Sequence, residues 1–179
     1  MADLLALPAF ASRTDVHVVV ETPRHAQAKF KYEPELGVFM LSRALTLGLS
    51  YPYDWGFVPS TEAPDGDPID ALVLHTITTS PGVVLRCRPI GILDVLQTQD
   101  RRSLRNDRLM VVPVRSRHPN ARDVRDLPAS LRHQAEEFFT AAIAGTGKRL
   151  KFLGWRGPKA ALAAIRRAQR AYERSGSQS

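Results

Sequence analysis

The chain has 179 residues, 44% hydrophobic and 24% charged, enough for one domain with a substantial core. Its single cysteine, Cys87, excludes an internal disulfide and has no cysteine neighbours for a zinc site. No stretch is long and apolar enough to span a membrane, and "MADLLALPAF" is too short for a secretory signal and lacks its basic start. The expectation is a single cytoplasmic domain over 1–179, with 1–13 and 175–179 as loose ends. The net charge of +7 is unevenly spread: residues 1–99 hold seven Lys/Arg and eleven Asp/Glu, residues 100–179 eighteen and seven. A basic second half suits a polyanionic ligand, or a nucleic acid, though solvated basic faces are common.

In chain order, β-branched content or alternation predicts strands at 16–21, 28–33, 37–41, 71–75, 82–89, 90–96 and 108–114. Gly and Pro punctuate the gaps. A helix is expected over 127–144, capped by Asp126 and ended by Gly145, with an apolar stripe of Leu131, Ala135, Phe138, Phe139, Ala142 and Ile143. A second helix is expected over 158–173, with Leu162, Ile165 and Tyr172 on its apolar side. Many short strands followed by two helices predict a mainly β (α+β) protein, a closed barrel with the helices outside.

The segment "APDGDPIDALVL" places Asp65, Asp67 and Asp70 together at the mouth of a core strand. Like charges this close repel by about a kcal/mol or more per pair, so such a cluster is either solvated or neutralised, by a divalent metal or by basic side chains. Asp65 and Asp67 are two apart and share a face in extended chain. Hard oxygen donors of this kind suit Mg²⁺ or Mn²⁺. An acidic turn before a strand is the plainer alternative. A calcium EF-hand is a poor reading, because its glycine position is Asp70 and its last ligand position is Thr76.

With "YPYDWGFVP" before it, "GVVLRCRPIGIL" after it and "ETPRHAQAKFKYE" upstream, the "DGDPIDALVL" segment resembles the acidic signature of the family I soluble inorganic pyrophosphatases. The resemblance runs from about Val16 to Trp155. It implies a five-stranded Greek-key (OB-like) barrel with external helices, and a cytoplasmic homo-oligomer, in bacteria a hexamer, that splits pyrophosphate with Mg²⁺. It implies Asp65, Asp70 and Glu33 as metal-linked carboxylates and Asp67 as the general base. It also implies Lys31, Arg43, Tyr51 and Arg108 on the phosphates, and Glu21 as another active-site carboxylate. Such chemistry needs carboxylates to hold metal and cations to hold phosphate.

The chain also departs from the family. Gln97 and Asn106 stand where two further aspartates are usual, and Asp107 is one residue out of register, facing away in a regular strand. Asp100 is a second candidate substitute. Trp55 replaces a phosphate-facing tyrosine, and Ala142 and Ile143 replace a Tyr-Lys pair, with Lys148 a candidate neighbour. Two function classes follow: a Mg²⁺-dependent pyrophosphatase, slowed or shifted to another phosphoanhydride, or a regulatory protein that binds metal, phosphate or another polyanion without efficient turnover. Pyrophosphate is the leading ligand, and nucleic acid the lesser reading of the basic charge.

Overall fold

The computed structural model describes residues 3–115 and 121–177. Its strands are β1 (Val16–Thr22), β2 (Ala28–Glu33), β3 (Val38–Ala44), β4 (Asp54–Phe57), β5 (Asp70–Val73), β6 (Val84–Gln99), β7 (Arg102–Arg105), β8 (Arg108–Pro113) and β9 (Arg149–Arg156), with helices α1 (Ala129–Ala142) and α2 (Pro158–Gly176). Strands β1, β4, β5, β8 and β6 pair in that order, and β6 pairs back with β1. The ring is therefore closed and five-stranded, as expected. Only the β5–β8 pairing is parallel.

Both sides of this ring are covered. Along β5 and β8, Leu72 and Met110 pack in the cluster that holds Phe138 and Phe139 of α1. The alternate residues Ala71, Val73, Leu109 and Val111 pack with Ala161, Ala164, Ile165 and Ala168 of α2. Strands covered on both faces read as continuous apolar runs, and "ALVL" and the "VVV" of β1 are such runs.

Several expectations change. The strands expected at 82–89 and 90–96 are one strand, β6, whose register shifts between Pro89 and Gly91; proline is tolerated at such a bulge. β4, β7 and β9 were not expected. β4 is short and contains Gly56, where a Cβ would stand 2.0 Å from the Val19 carbonyl oxygen. β2 and β3 lie outside the ring as a separate two-stranded sheet. That hairpin is held to β1 by Tyr32 N–H donating to Glu21 (2.9 Å) and Phe30 N–H donating to Thr22 Oγ1 (3.0 Å). Asp126 does not cap α1. Its carboxylate accepts from Asp123 N–H in the capping box of a preceding 3₁₀ turn, Val124–Asp126, while α1 starts after Pro128 with no side-chain cap.

The stripe of α2 is narrower than expected. Ile165 is buried among alanines, while Leu162 and Tyr172 are half-buried. The described residues at both ends take part in the fold. Leu4, Leu5 and Leu7 pack on Val19, Tyr32 and Phe57, and the carbonyls of Leu5 and Leu7 accept from Ser60. α2 continues to Gly176.

Candidate active site

The loop between β4 and β5 builds the acidic centre. Gly66 takes φ +86 between two of the aspartates, a conformation open to glycine at no steric cost. Gly66 N–H donates to Ala63 O (2.9 Å), and Ala63 N–H donates to Asp67 O (2.8 Å). Thr61 Oγ1 accepts Ile69 N–H at 3.0 Å and donates to Val58 O at 2.6 Å, anchoring the loop's exit. Asp70 opens β5 and lies in register with Arg108 of the parallel β8.

These elements surround a cavity of about 280 Å³. Its acidic wall is Asp65, Asp67 and Asp70, its cations are Lys29, Arg43, Arg108 and Lys148, and Ser42, Tyr51, Gln97, Asn106 and Thr146 complete the polar lining. Trp55, Phe138, Phe139, Ala142 and Ile143 form an apolar wall. An adjoining cavity of about 370 Å³ shares Lys29, Asp67 and Asp70 with the first and adds Glu21, Lys31 and Glu33. The expected site residues are thus gathered in two chambers joined at Lys29, Asp67 and Asp70. The reason is the β2–β3 hairpin, which stands apart from the ring and carries Lys31 and Glu33 beside it.

Burial and charge crowding define the electrostatics. Desolvation lifts Asp70 to about 6 against the pull of Lys29 and Arg108, with Asp65 and Asp67 pushing further upward. Desolvation lifts Glu21 to about 7, opposed by the Tyr32 N–H and assisted by Asp70. Burial and the Asp67 charge also raise Asp65. Burial pushes the Tyr51 phenol to about 12; its ring meets Phe138 edge-on at 4.9 Å. Burial lowers Arg108, and Asp70, Tyr51 and Asp65 oppose the shift. The Arg108 guanidinium sits 4.5 Å from the Phe139 ring and 5.3 Å from the Trp55 ring. Cation–π contact replaces part of its lost hydration. Trp55 Nε1 and Arg108 Nε are both buried without a hydrogen-bond partner among the described residues.

The departures have definite places. Asn106 Nδ2 donates to Asp65 Oδ2 (2.9 Å) and, at 3.4 Å, to Gln97 Oε1. Asp107 faces away, as its register predicts: it accepts Val95 N–H at 2.9 Å and two bonds from Arg105. Asp100 lines neither chamber, whereas Lys148 does line the first. Arg43 donates to the carbonyl of Ala142 at the end of α1. Sequence reasoning missed Lys29, which lines both chambers. Its signal was available, because Lys29 and Lys31 are two apart on β2 and share a face.

Among the described residues, no group of three or more His, Cys, Asp and Glu is gathered as a metal ligand set. The acidic oxygens are turned to other donors: Asp67 Oδ1 to Lys31 Nζ (2.9 Å) and Asp65 Oδ2 to Asn106. The donor set is nevertheless all hard oxygen, which fits a divalent ion of the Mg²⁺ type.

A closed five-stranded ring whose carboxylates face lysine, arginine and a buried tyrosine defines a small barrel protein built around a phosphate-type anion. Residues 18–173 match the family model described as inorganic pyrophosphatase, and the chain belongs to that family. It is 39% identical over 170 residues to the inorganic pyrophosphatase of Thermus thermophilus, covering 93% of this chain and 95% of that one. It is 33% identical to that of Aquifex pyrophilus, covering 90% and 92%. The crystal structure of the Thermus thermophilus protein superposes with a TM-score of 0.87 at 36% identity, covering 96% of this chain and 99% of that one. The Helicobacter pylori inorganic pyrophosphatase gives 0.84 at 28% identity, covering 93% and 98%. No helix among the described residues is long and apolar enough to cross a membrane.

Proposed function

We propose that the chain hydrolyses inorganic pyrophosphate to two phosphates. The observation that carries this reading is the meeting of Asp65, Asp67 and Asp70 with Lys29, Arg43, Arg108 and Lys148 around one 280 Å³ cavity. Water attacks one phosphorus, the bridging P–O bond breaks, and the second phosphate leaves with the bridging oxygen. Asp67 takes the proton of the attacking water. Lys29, Lys31, Arg43, Arg108 and the Tyr51 hydroxyl bind and orient the phosphates. Asp65, Asp70 and Glu33 are the residues to hold Mg²⁺ or Mn²⁺, with Glu21 behind Asp70 tuning its charge. The ion supplies charge neutralisation and a more acidic water. Phe138, Phe139 and Trp55 exclude solvent from the side facing α1. The protein works as a single cytoplasmic domain assembled into a homo-oligomer, a hexamer by analogy with bacterial relatives.

A second reading, a metal- or phosphate-binding regulatory protein with little turnover, is favoured by one specific feature. Ala142 and Ile143 put no donor on the wall where the outgoing phosphate needs one. Phosphate release from pyrophosphate with Mg²⁺ and with Mn²⁺, beside nucleotides and short polyphosphates, separates the two. Release from pyrophosphate above that from every other substrate supports the first, and binding without release supports the second.

A further inference from the structure

We propose that the outer face of α2 is a docking track for single-stranded nucleic acid. Arg166, Arg170 and Arg174 are four residues apart, so they form one stripe with about 6 Å between successive positions. That spacing is of the order of the separation between neighbouring phosphates on an extended strand. All three are exposed, and among the described residues none of them forms an ion pair. α2 carries five basic residues against one acidic residue, Glu173, so the field along this face is positive.

The surface beside the stripe is shaped as a trough. Arg166 donates to the Arg13 carbonyl at 3.3 Å, which brings a fourth arginine alongside. A depression of about 350 Å³ lies between Phe10, Arg13, Arg166 and Arg170. A second, of about 440 Å³, continues past Arg170 to Arg174 and is lined also by Glu173 and Ser177. Arg170 belongs to both, so the two run on from each other. The Arg166 guanidinium lies 5.9 Å from the Phe10 ring. Phe10 is half-buried against the α2 core, and what it leaves exposed lines the first depression; a basic track with an aromatic edge beside it suits single strands held without reading sequence, the cations following the backbone and the ring edge meeting a base. A linear polyphosphate would satisfy the arginines but leave Phe10 with nothing to stack on. None of these residues lines the two active-site chambers, so docking and hydrolysis are compatible. Nucleotidyl transfer releases pyrophosphate as a strand grows, and a strand-bound hydrolase would stand close to the source of its substrate.

The test is fluorescence anisotropy of a labelled single-stranded oligonucleotide with the full chain across a salt series. Four phosphate contacts give a slope of log K against log salt near −3, about a 50-fold loss between about 50 and about 200 mM salt. Arg166→Gln/Arg170→Gln/Arg174→Gln should lose most of the affinity and flatten the slope to near −0.7. Phosphate release should stay unchanged and so report an intact fold. The single variants Arg170→Gln and Phe10→Leu should each weaken binding severalfold, giving a reading that does not depend on the triple variant. Arg101→Gln/Arg102→Gln/Lys151→Gln removes the same charge at the β6–β7 hairpin and β9 and should bind as the parent does. No binding at the low-salt end, or equal weakening by the two triple variants, overturns the proposal.

Discussion

Lys31 caps Asp67: its ammonium donates to the carboxylate with Nζ and Oδ1 2.9 Å apart. Burial works against the lysine's charge, but the hydrogen bond and the charges of Asp67, Glu21 and Asp70 outweigh it and hold the proton above the ordinary range. The side chains are 54% and 58% exposed, so the pair contributes no more than about 1 kcal/mol to stability. Its weight falls on the reaction, because it fixes the direction of the proposed base.

Asp67→Asn keeps the shape of that base and removes its charge. Steady-state phosphate release should fall by roughly a hundredfold or more, the usual scale for losing a general base, while the melting temperature stays nearly constant. Lys31→Met should act mainly through KM, since it removes a phosphate-facing cation. An unchanged rate in Asp67→Asn would remove Asp67 from the reaction.

The acidic chambers set a pH dependence on the metal-free protein. Folding lifts Glu21 from 4.5 to about 7 and Asp70 from 3.8 to about 6, chiefly by burial. The folded state therefore holds these protons more tightly than the unfolded chain. The resulting stability is fully present below the unfolded values and is lost as pH rises through 6 to 7. Each group accounts for a few kcal/mol at most, by the usual linkage of pKa to stability. Urea unfolding in chelator should show a midpoint that falls from about pH 5 to about pH 8, and excess Mg²⁺ should flatten the fall by binding the ionised acids. A midpoint that rises over this window without metal contradicts the assignment.

The ring depends on one close approach. At Gly56 a Cβ would meet the Val19 carbonyl oxygen at 2.0 Å, and that oxygen is backbone in the paired strand. Gly56→Ala should therefore destabilise the protein by about 2–3 kcal/mol or more and lower its melting temperature by on the order of 5–10 °C. A shift within experimental error in a thermal scan would mean that β1 and β4 separate more easily than their register implies.

The acidic cluster was legible because Asp65, Asp67 and Asp70 sit against an apolar strand, a conflict that chemistry has to resolve. β1, β5 and β8 were legible because residues covered on both faces leave long apolar runs. β4 and β9 were not, since Gly56 and Gly154 read as breaks, whereas Gly56 is there because the neighbouring backbone is too close for a side chain. Asp126 reads correctly as a capping residue, but local preference does not say which turn it serves. Nor does any local pattern show that the β2–β3 hairpin leaves the ring and carries Lys31 and Glu33 into a second chamber. Tyr32 then fastens the hairpin to the ring, its own ring lying 5.2 Å from Phe39 of β3 and 6.5 Å from Phe57 of β4.

The amide pair bears on metal number. Asn106 donates to Asp65 and leans on Gln97, so neutral groups occupy a corner where carboxylates would attract a cation. Titration calorimetry should find fewer tightly bound divalent ions than in a relative with aspartates at both places. Gln97→Asp/Asn106→Asp should add one, and Asp70→Ala should remove the strongest. Equal binding by the wild type and Asp70→Ala would displace Asp70 from the metal site.

Restoring the outgoing-phosphate wall tests the two function classes against each other. Ala142 and Ile143 line the cavity at the end of α1, where Arg43 is occupied with the Ala142 carbonyl. Ala142→Tyr/Ile143→Lys adds a hydroxyl and an ammonium to that wall. If the chain is a hydrolase limited there, the rate should rise by roughly tenfold to a hundredfold, the scale of regaining charge-assisted hydrogen bonds to phosphate. Combined with Gln97→Asp/Asn106→Asp, the gain should differ from the product of the separate gains, because both pairs act on one transition state. Asp67→Asn placed on the four-fold variant should abolish the gain. If wild type and restored variants alike release no phosphate, with or without Asp67, the cavity binds its anion without cleaving it. If the wild type already matches a complete relative, Lys29 and Lys148 are the groups that stand in for the missing pair, and Lys29→Met and Lys148→Met should then each carry the loss.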